Sequence, residues 1–139
     1  MLKEAVRSML TSIEGTVTPE HIRSTIEAYL QTYVTKDTAT RAAMFTDDAI
    51  ADDPVGAPPF VGKEAIVNFW SIADQGPATL EPKVERIVVC GNEAVFIFNM
   101  KMSVGEMGSA TMKITETLVF DDAGKIKRLR AYWDEHSVT

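Results

Sequence analysis

The spacing of apolar residues changes once along this chain of 139 residues, near Leu80. Before that point apolar side chains recur every three or four positions, which predicts amphipathic helices. After it they alternate with polar ones, which predicts strands with one face against a core. Helices followed by strands are typical of an α+β domain whose helices pack on one face of an antiparallel sheet. No linker or repeat interrupts the chain, so residues 1–139 are predicted to form a single domain.

Four helices are predicted in the first half of the chain. Thr18 and Pro19 supply a capping hydroxyl and a proline suited to the first helical position, so a helix begins there. Gly15 separates it from an earlier apolar pattern, which makes residues 1–15 an added N-terminal helix. The first predicted helix covers 1–13. The second begins at Thr18-Pro19, the third is a short segment at 37–45, and the fourth runs from Gly62 to Ala73. The apolar stripe of the second helix is Ile22, Ile26, Tyr29, Leu30 and Tyr33.

Five strands are predicted, with turn residues between them. The segment from Pro54 to Pro59 holds three prolines, which exclude regular structure and make it a loop. Short glycine-containing turns join the later strands, which indicates an antiparallel meander. The predicted strands are Ala49 to Asp53, 82–90, 93–103, 109–120 and 125–134.

Glu116 breaks the alternation of the strand at 109–120. It shares its parity, and therefore its face of the sheet, with Ala110, Met112, Ile114, Leu118 and Phe120. A carboxyl group on an apolar face loses hydration, which favours its neutral form unless a cation lies nearby. Two ordinary explanations stay open: an ion pair with Arg128 or Arg130, and a bulge that turns the side chain outward.

Two further polar residues lie in apolar surroundings. Asp53 ends its strand just before Pro54, where it is either a simple strand exit or a carboxylate held at the opening of a loop. Tyr29 lies on the apolar stripe of its helix, so its buried hydroxyl needs a partner, for which a backbone carbonyl is the usual choice.

Composition excludes several classes of function. The net charge of −6 and the isoelectric point near 4.9 argue against nucleic acid and anionic membranes as partners. No apolar run approaches the roughly 20 residues of a membrane span, and the N-terminus lacks a signal-peptide core, so a cytoplasmic location is expected. Cys90, the only cysteine, follows an apolar run and is expected to be buried and inert. His21 and His136 have no partners at metal-ligand spacing.

Several segments resemble the bacterial steroid Δ5-isomerases, the ketosteroid isomerases of the NTF2-like superfold. The similarity covers roughly residues 18–137. The part most specific to this family is Asp53-Pro54, followed by a glycine two residues after the proline. Asp53 stands 24 positions after Tyr29. The supporting segments are Thr18-Pro19-Glu20-His21, Phe45-Thr46-Asp47-Asp48-Ala49, Gly62-Lys63-Glu64-Ala65-Ile66 and Arg130-Ala131-Tyr132-Trp133.

The resemblance implies a cone-shaped α+β fold, a homodimer, and an isomerase that needs no cofactor and no metal. It implies that Asp53 transfers the proton while Tyr29 and Glu116 hold an oxyanion, the glutamate standing where the family has an aspartic acid. The partner would be a steroid or another hydrophobic ketone. The residues expected to contact it are Trp133, Phe98, Met112, Leu118, Val55, Phe60 and Trp70.

The chain departs from this family behind Tyr29 as well as at Glu116. Some relatives carry tyrosines that support the oxyanion tyrosine. This chain has Phe45 and Trp70 at those positions, so no tyrosine network is expected behind Tyr29.

Two alternative functions stay open. An epoxide hydrolase or polyketide cyclase-like enzyme on the same superfold is one of them. Epoxide hydrolysis would call for an Asp-Arg-Asp group, for which Arg86 has no clear carboxylate partners. A non-catalytic sterol-binding module is the other, since one fold hosts many functions.

Overall fold

A curved sheet of six strands carries the helices on one of its faces. The structure is a computed structural model that describes residues 1–139. The α-helices are α1 (Leu2–Thr11), α2 (Pro19–Thr35), α3 (Thr38–Ala42) and α4 (Lys63–Asp74). The strands are β1 (Phe45–Asp52), β2 (Phe60–Val61), β3 (Thr79–Cys90), β4 (Glu93–Ser103), β5 (Ser109–Phe120) and β6 (Ile126–Tyr132). The predicted α+β class is confirmed, and no helix is long and apolar enough to cross a membrane.

The strand order is β2-β1-β6-β5-β4-β3. Strands β3 to β6 form the predicted antiparallel meander. Strand β1 instead runs parallel to β6, with Ala51 beside Leu129 and Asp52 beside Arg130. This contact joins the helical half of the chain to the meander and brings the end of β1 next to the end of β6.

The predicted element boundaries differ from the observed ones in three places. Strand β1 begins at Phe45, where helix was expected, because pairing with β6 extends it backwards and Ile126 N–H donates to Met44 O. Strand β2 was not predicted, since two residues are too few to show alternation. Strand β3 starts at Thr79 and includes Pro82, which is tolerated because β3 lies at the edge of the sheet.

The core lies between α2, α4 and the face of the sheet that we call the inner face, which carries Phe96, Leu118 and Leu129. Ile22 and Ile26 of α2 are completely buried, so the stripe predicted from helical spacing packs as expected. The opposite, outer face carries the odd-numbered residues of β5, which are mostly polar, beside Val95 and Ile97 of β4. Side chains on the inner face therefore decide both the core and any cavity beside it.

The exposure of side chains tests the expectations for the N-terminal helix and for Cys90. Helix α1 forms within the predicted range, yet none of its residues is buried. The expectation that Cys90 is buried is wrong, because the cysteine is exposed. Its neighbours Ile87 and Val89 contact the core, and Cys90 has the opposite parity at the very end of β3, so its side chain faces outward.

Candidate active site

Two tyrosines of α2 share a hydrogen bond in the protein interior. Tyr29 and Tyr33 lie one helical turn apart, which brings them to one face of α2. Their hydroxyl oxygens are 2.7 Å apart and their rings pack edge to face. The pKa of Tyr29 is raised well above its ordinary value, first by burial and then by the nearby Glu116 carboxyl, so this hydroxyl stays protonated. The expectation that no tyrosine supports Tyr29 is wrong, because the support comes from its own helix.

A buried arginine lies against this tyrosine pair. The Arg41 guanidinium carbon is 3.7 Å from the centre of the Tyr33 ring, and the side chain is completely buried. It donates to Asp74 at 3.0 Å and to the hydroxyl and carbonyl oxygens of Thr32. Sequence reasoning missed this ion pair, because the two residues lie 33 positions apart and no pattern links α3 to α4.

Asp53 lies directly after β1, where the chain turns into the proline-rich loop through a cis Asp53–Pro54 peptide. The indole N–H of Trp133 donates to its Oδ1 at 2.9 Å. Burial raises the pKa of Asp53, and the Trp133 hydrogen bond opposes this in part. The preceding Asp52 faces the outer side of the sheet, where Arg128 donates to it at 2.6 Å.

Glu116 lies in the middle of β5, opposite Phe96 on β4 and Ala131 on β6. Only 5% of its surface is exposed, and its Oε2 has no hydrogen-bond partner. The ion pair that could have explained it is absent, since Arg128 and Arg130 both bind Asp52 on the outer face. Burial, followed by repulsion from Asp53, raises the pKa of Glu116 well above its ordinary value. The raised pKa favours the neutral form of the carboxyl group, which can donate a hydrogen bond.

Asp53, Glu116 and Tyr33 line one apolar cavity of about 130 Å³ that opens to solvent. Its other walls are Leu80, Phe98, Met100, Met102, Met112, Ile114 and Trp133. A much smaller cavity of about 10 Å³, roughly the space of one water molecule, adjoins it through Asp53, which lines both. The smaller cavity is also lined by Tyr29, Ala51, Phe60, Ile66, Phe69, Trp70 and Leu129.

The expected site residues therefore fall into three groups. Phe98, Met112 and Trp133 line the larger cavity with Asp53 and Glu116, whereas Tyr29, Phe60 and Trp70 line the smaller one. Leu118 and Val55 line neither cavity. Leu118 is completely buried because it pairs with Ala94 and Leu129, deeper along the sheet. No group of three or more His, Cys, Asp and Glu side chains converges as metal ligands.

The family model for the SnoaL-like domain matches residues 26–129, which span α2 to β6 and include all three polar groups of the cavity. The chain belongs to the SnoaL-like domain family. The chain is also similar in sequence to a steroid Δ-isomerase of Nocardioides simplex, 28% identical over 112 residues that cover 81% of this chain and 89% of that enzyme.

Two solved structures share the fold of this SnoaL-like domain. The Δ5-3-ketosteroid isomerase from Mycobacterium sp. superposes with a TM-score of 0.74 at 24% identity, covering 86% of this chain and 97% of that one. An LEH-like epoxide hydrolase of M. tuberculosis superposes with the same TM-score at 25% identity and covers 86% of each chain. The expected NTF2-like architecture is confirmed, while the neighbours include two kinds of chemistry.

The buried acid of this SnoaL-like domain predicts a pH-dependent stability. Above the ordinary pKa of 4.5, Glu116 has lost its proton in the unfolded chain but keeps it in the folded one. Folding then takes up a proton, so the free energy of unfolding is expected to fall as pH rises, by up to about 1.4 kcal/mol per pH unit. The decline ends once pH passes the raised folded-state pKa.

Glu116→Gln is expected to remove most of this decline, because a neutral amide does not titrate. Urea unfolding at several pH values between 4.5 and 8 would measure it, with the exposed Glu93→Gln as a matched control. A smaller decline would persist in the variant, since the pKa of Asp53 is also raised. Equal pH dependence in Glu116→Gln and the unsubstituted protein would contradict a protonated Glu116.

Proposed function

We propose that this protein is a steroid Δ-isomerase that converts a 3-oxo-Δ5 steroid, or a similar β,γ-unsaturated ketone, into the conjugated enone. The observation that carries the proposal is that Asp53 and Glu116 line one apolar cavity in which the pKa of Glu116 is raised well above its ordinary value, while a hydrogen bond from Trp133 opposes part of the rise at Asp53. One carboxyl group can accept a proton there while the other donates a hydrogen bond. The similarity to the Nocardioides simplex isomerase supports the same chemistry.

Asp53 performs the proton transfer in this proposal. Its carboxylate takes the proton from the carbon between the carbonyl and the alkene, and the released electron pair forms a dienolate. Asp53 then returns that proton to the far carbon of the former alkene, which leaves the double bond conjugated with the carbonyl. Atoms and charge balance within the substrate, so no cofactor is required. The Trp133 N–H holds Oδ1 of Asp53 in position during both steps.

The dienolate oxygen needs hydrogen-bond donors, because a carboxylate is a weak base for a carbon acid. Protonated Glu116 supplies one, and the tyrosine pair of Tyr29 and Tyr33 supplies another. A preorganised donor of this kind is worth about 3 kcal/mol of the activation barrier. The methionine and aromatic walls exclude water, which strengthens each hydrogen bond.

The first test is to mix the purified protein with 5-androstene-3,17-dione and follow the ultraviolet absorbance of the conjugated enone. We expect absorbance to rise in proportion to protein concentration. Absence of any increase above buffer, with the protein folded, would overturn the proposal. Steroid binding without turnover would then favour the non-catalytic binding module.

Epoxide hydrolysis is the second candidate, because an epoxide hydrolase shares the fold and two carboxyl groups face the cavity. That chemistry needs a bound water held by an Asp-Arg-Asp group, whereas neither cavity is lined by an arginine and Arg86 is exposed. Limonene epoxide in ¹⁸O-labelled water would test it. Label in a diol product would support hydrolysis and count against isomerisation as the main activity.

The raised pKa of Asp53 predicts the acid limb of the pH profile. Below this pKa the carboxyl group is protonated and cannot accept the substrate proton, so kcat/KM is expected to fall about tenfold per pH unit. Trp133→Phe removes the hydrogen bond that lowers the pKa, so the midpoint is expected to move to higher pH. A midpoint at the ordinary value for aspartate in both proteins would contradict this assignment.

The homodimer and the cytoplasmic location expected from the sequence remain predictions. Sedimentation velocity of the purified protein would measure its oligomeric state and so test the homodimer.

A further inference from the structure

The two bonded tyrosines face different spaces. Tyr33 lines the larger cavity together with Asp53 and Glu116, whereas Tyr29 is 1% exposed and lines only the smaller cavity. Their hydroxyl oxygens are nevertheless within hydrogen-bond distance of each other, at 2.7 Å. A ligand in the larger cavity would therefore meet Tyr33 before it met Tyr29.

We propose that Tyr33 is the tyrosine that donates to the substrate oxygen, and that Tyr29 is a positioning residue that donates to the Tyr33 hydroxyl from behind. This inference rests on the proposed isomerase function and assigns the contact to a residue one helical turn beyond the one that the family resemblance indicates. A hydroxyl donates one hydrogen bond and accepts up to two, so Tyr33 can accept from Tyr29 while it donates to the ligand. No proton is transferred between the two tyrosine hydroxyls, because Asp53 alone carries the reacting proton.

The surroundings of Tyr33 fit a donor to a developing negative charge. The Arg41 guanidinium lies 3.7 Å from its ring centre and is held in place by Asp74 and Thr32. This packing fixes the ring, so the hydroxyl does not have to be oriented when the ligand binds. Burial and the Glu116 carboxyl raise the pKa of Tyr33 and keep its proton in place, and the Arg41 charge opposes part of that rise.

A pair of hydrogen-bonded hydroxyls also explains why the partly buried Tyr33 lies against the buried Tyr29. Donation by Tyr29 polarises the Tyr33 hydroxyl and makes it a stronger donor, since hydrogen bonds in sequence strengthen one another in a low-dielectric interior. Glu116 faces the same cavity from β5, so a ligand oxygen between Tyr33 and Glu116 would receive two hydrogen bonds.

Single hydroxyl deletions test this order. Tyr33→Phe is expected to lower kcat for 5-androstene-3,17-dione by about a hundredfold or more with little change in KM, because the lost bond acts mainly in the transition state. Tyr29→Phe is expected to lower kcat by only about tenfold, since Tyr33 still faces the substrate. Tyr132→Phe, on an exposed tyrosine at the end of β6, is the matched control and is expected to leave kcat unchanged.

Binding of equilenin, a steroid whose naphthol oxygen resembles the dienolate oxygen, separates this inference from the proposed function. We expect Tyr33→Phe to weaken its binding and lower the ionised fraction of the bound naphthol, both by more than Tyr29→Phe does. Far-ultraviolet circular dichroism would verify that each variant folds.

The outcomes of the two assays are distinct. Turnover by the unsubstituted protein with a larger loss in Tyr29→Phe than in Tyr33→Phe would overturn this inference and leave the isomerase proposal intact. Equilenin binding that depends on Tyr33, without ketone turnover, would support the contact and overturn the isomerase. An unsubstituted protein that neither binds equilenin nor turns over the ketone would overturn both.

Discussion

Replacing Asp53 with asparagine is expected to lower the turnover of 5-androstene-3,17-dione by about 10²–10⁴-fold, the range typical for loss of a general base. The amide has nearly the shape of the carboxylate and can still accept the hydrogen bond from Trp133 N–H. It cannot take up the substrate proton, so the loss should appear in kcat while steroid binding is largely kept. The absorbance assay measures both quantities on the same samples.

Asp52→Asn is the matched control for this experiment. It makes the same chemical change one residue earlier, at a side chain that faces the outer side of the sheet and binds Arg128 and Arg130. Turnover is expected to stay close to that of the unsubstituted protein. Equal activity losses in Asp52→Asn and Asp53→Asn would indicate a general disturbance of β1 and would count against Asp53 as the base.

Replacing Asp74 with alanine is expected to lower the free energy of unfolding by about 3–5 kcal/mol, the usual cost of removing one partner of a buried ion pair. Arg41 would keep its bonds to Thr32 but would remain charged, with no exposed surface and no carboxylate. Its contact with the Tyr33 ring would loosen as well. Urea unfolding followed by tryptophan fluorescence measures the change, because Trp70 lies near Arg41.

The exposed ion pair of Lys63 and Asp47 provides the control. Asp47→Ala removes a carboxylate that is fully solvated, so the urea midpoint is expected to stay the same. The double variant Arg41→Met with Asp74→Leu should recover much of the stability lost in Asp74→Ala, since it leaves no buried charge. Equal midpoints for Asp74→Ala and Asp47→Ala would show that the buried pair contributes little.

Local patterns were sufficient to predict most of the architecture. Alternation in β5 put Glu116 on the apolar face, and the structure buries it there without a cation. Helical spacing placed Tyr29 in the core, and its burial is observed. These predictions succeeded because the periods of helix and strand dictate which side chains share a face, whatever the rest of the chain does.

Contacts between distant segments could not be obtained in this way. The parallel pairing of β1 with β6, the ion pair of Arg41 with Asp74, and the hydrogen bond from Trp133 to Asp53 each join residues far apart in the chain. Side-chain periodicity contains no information about which surfaces meet. The outward orientation of Cys90 was missed for a related reason, since one position at the end of β3 reverses its face.

By itself the sequence determined the α+β class, the order of the helices and of the strands other than β2, and the three buried or half-buried polar residues that invite a functional interpretation. Tertiary structure alone decided that Asp53 and Glu116 face one cavity, that Tyr33 joins them there, and that Tyr29 lies behind it. The physical reason is that burial and parity are properties of single elements, whereas a cavity and its electrostatics arise only where separate elements pack together.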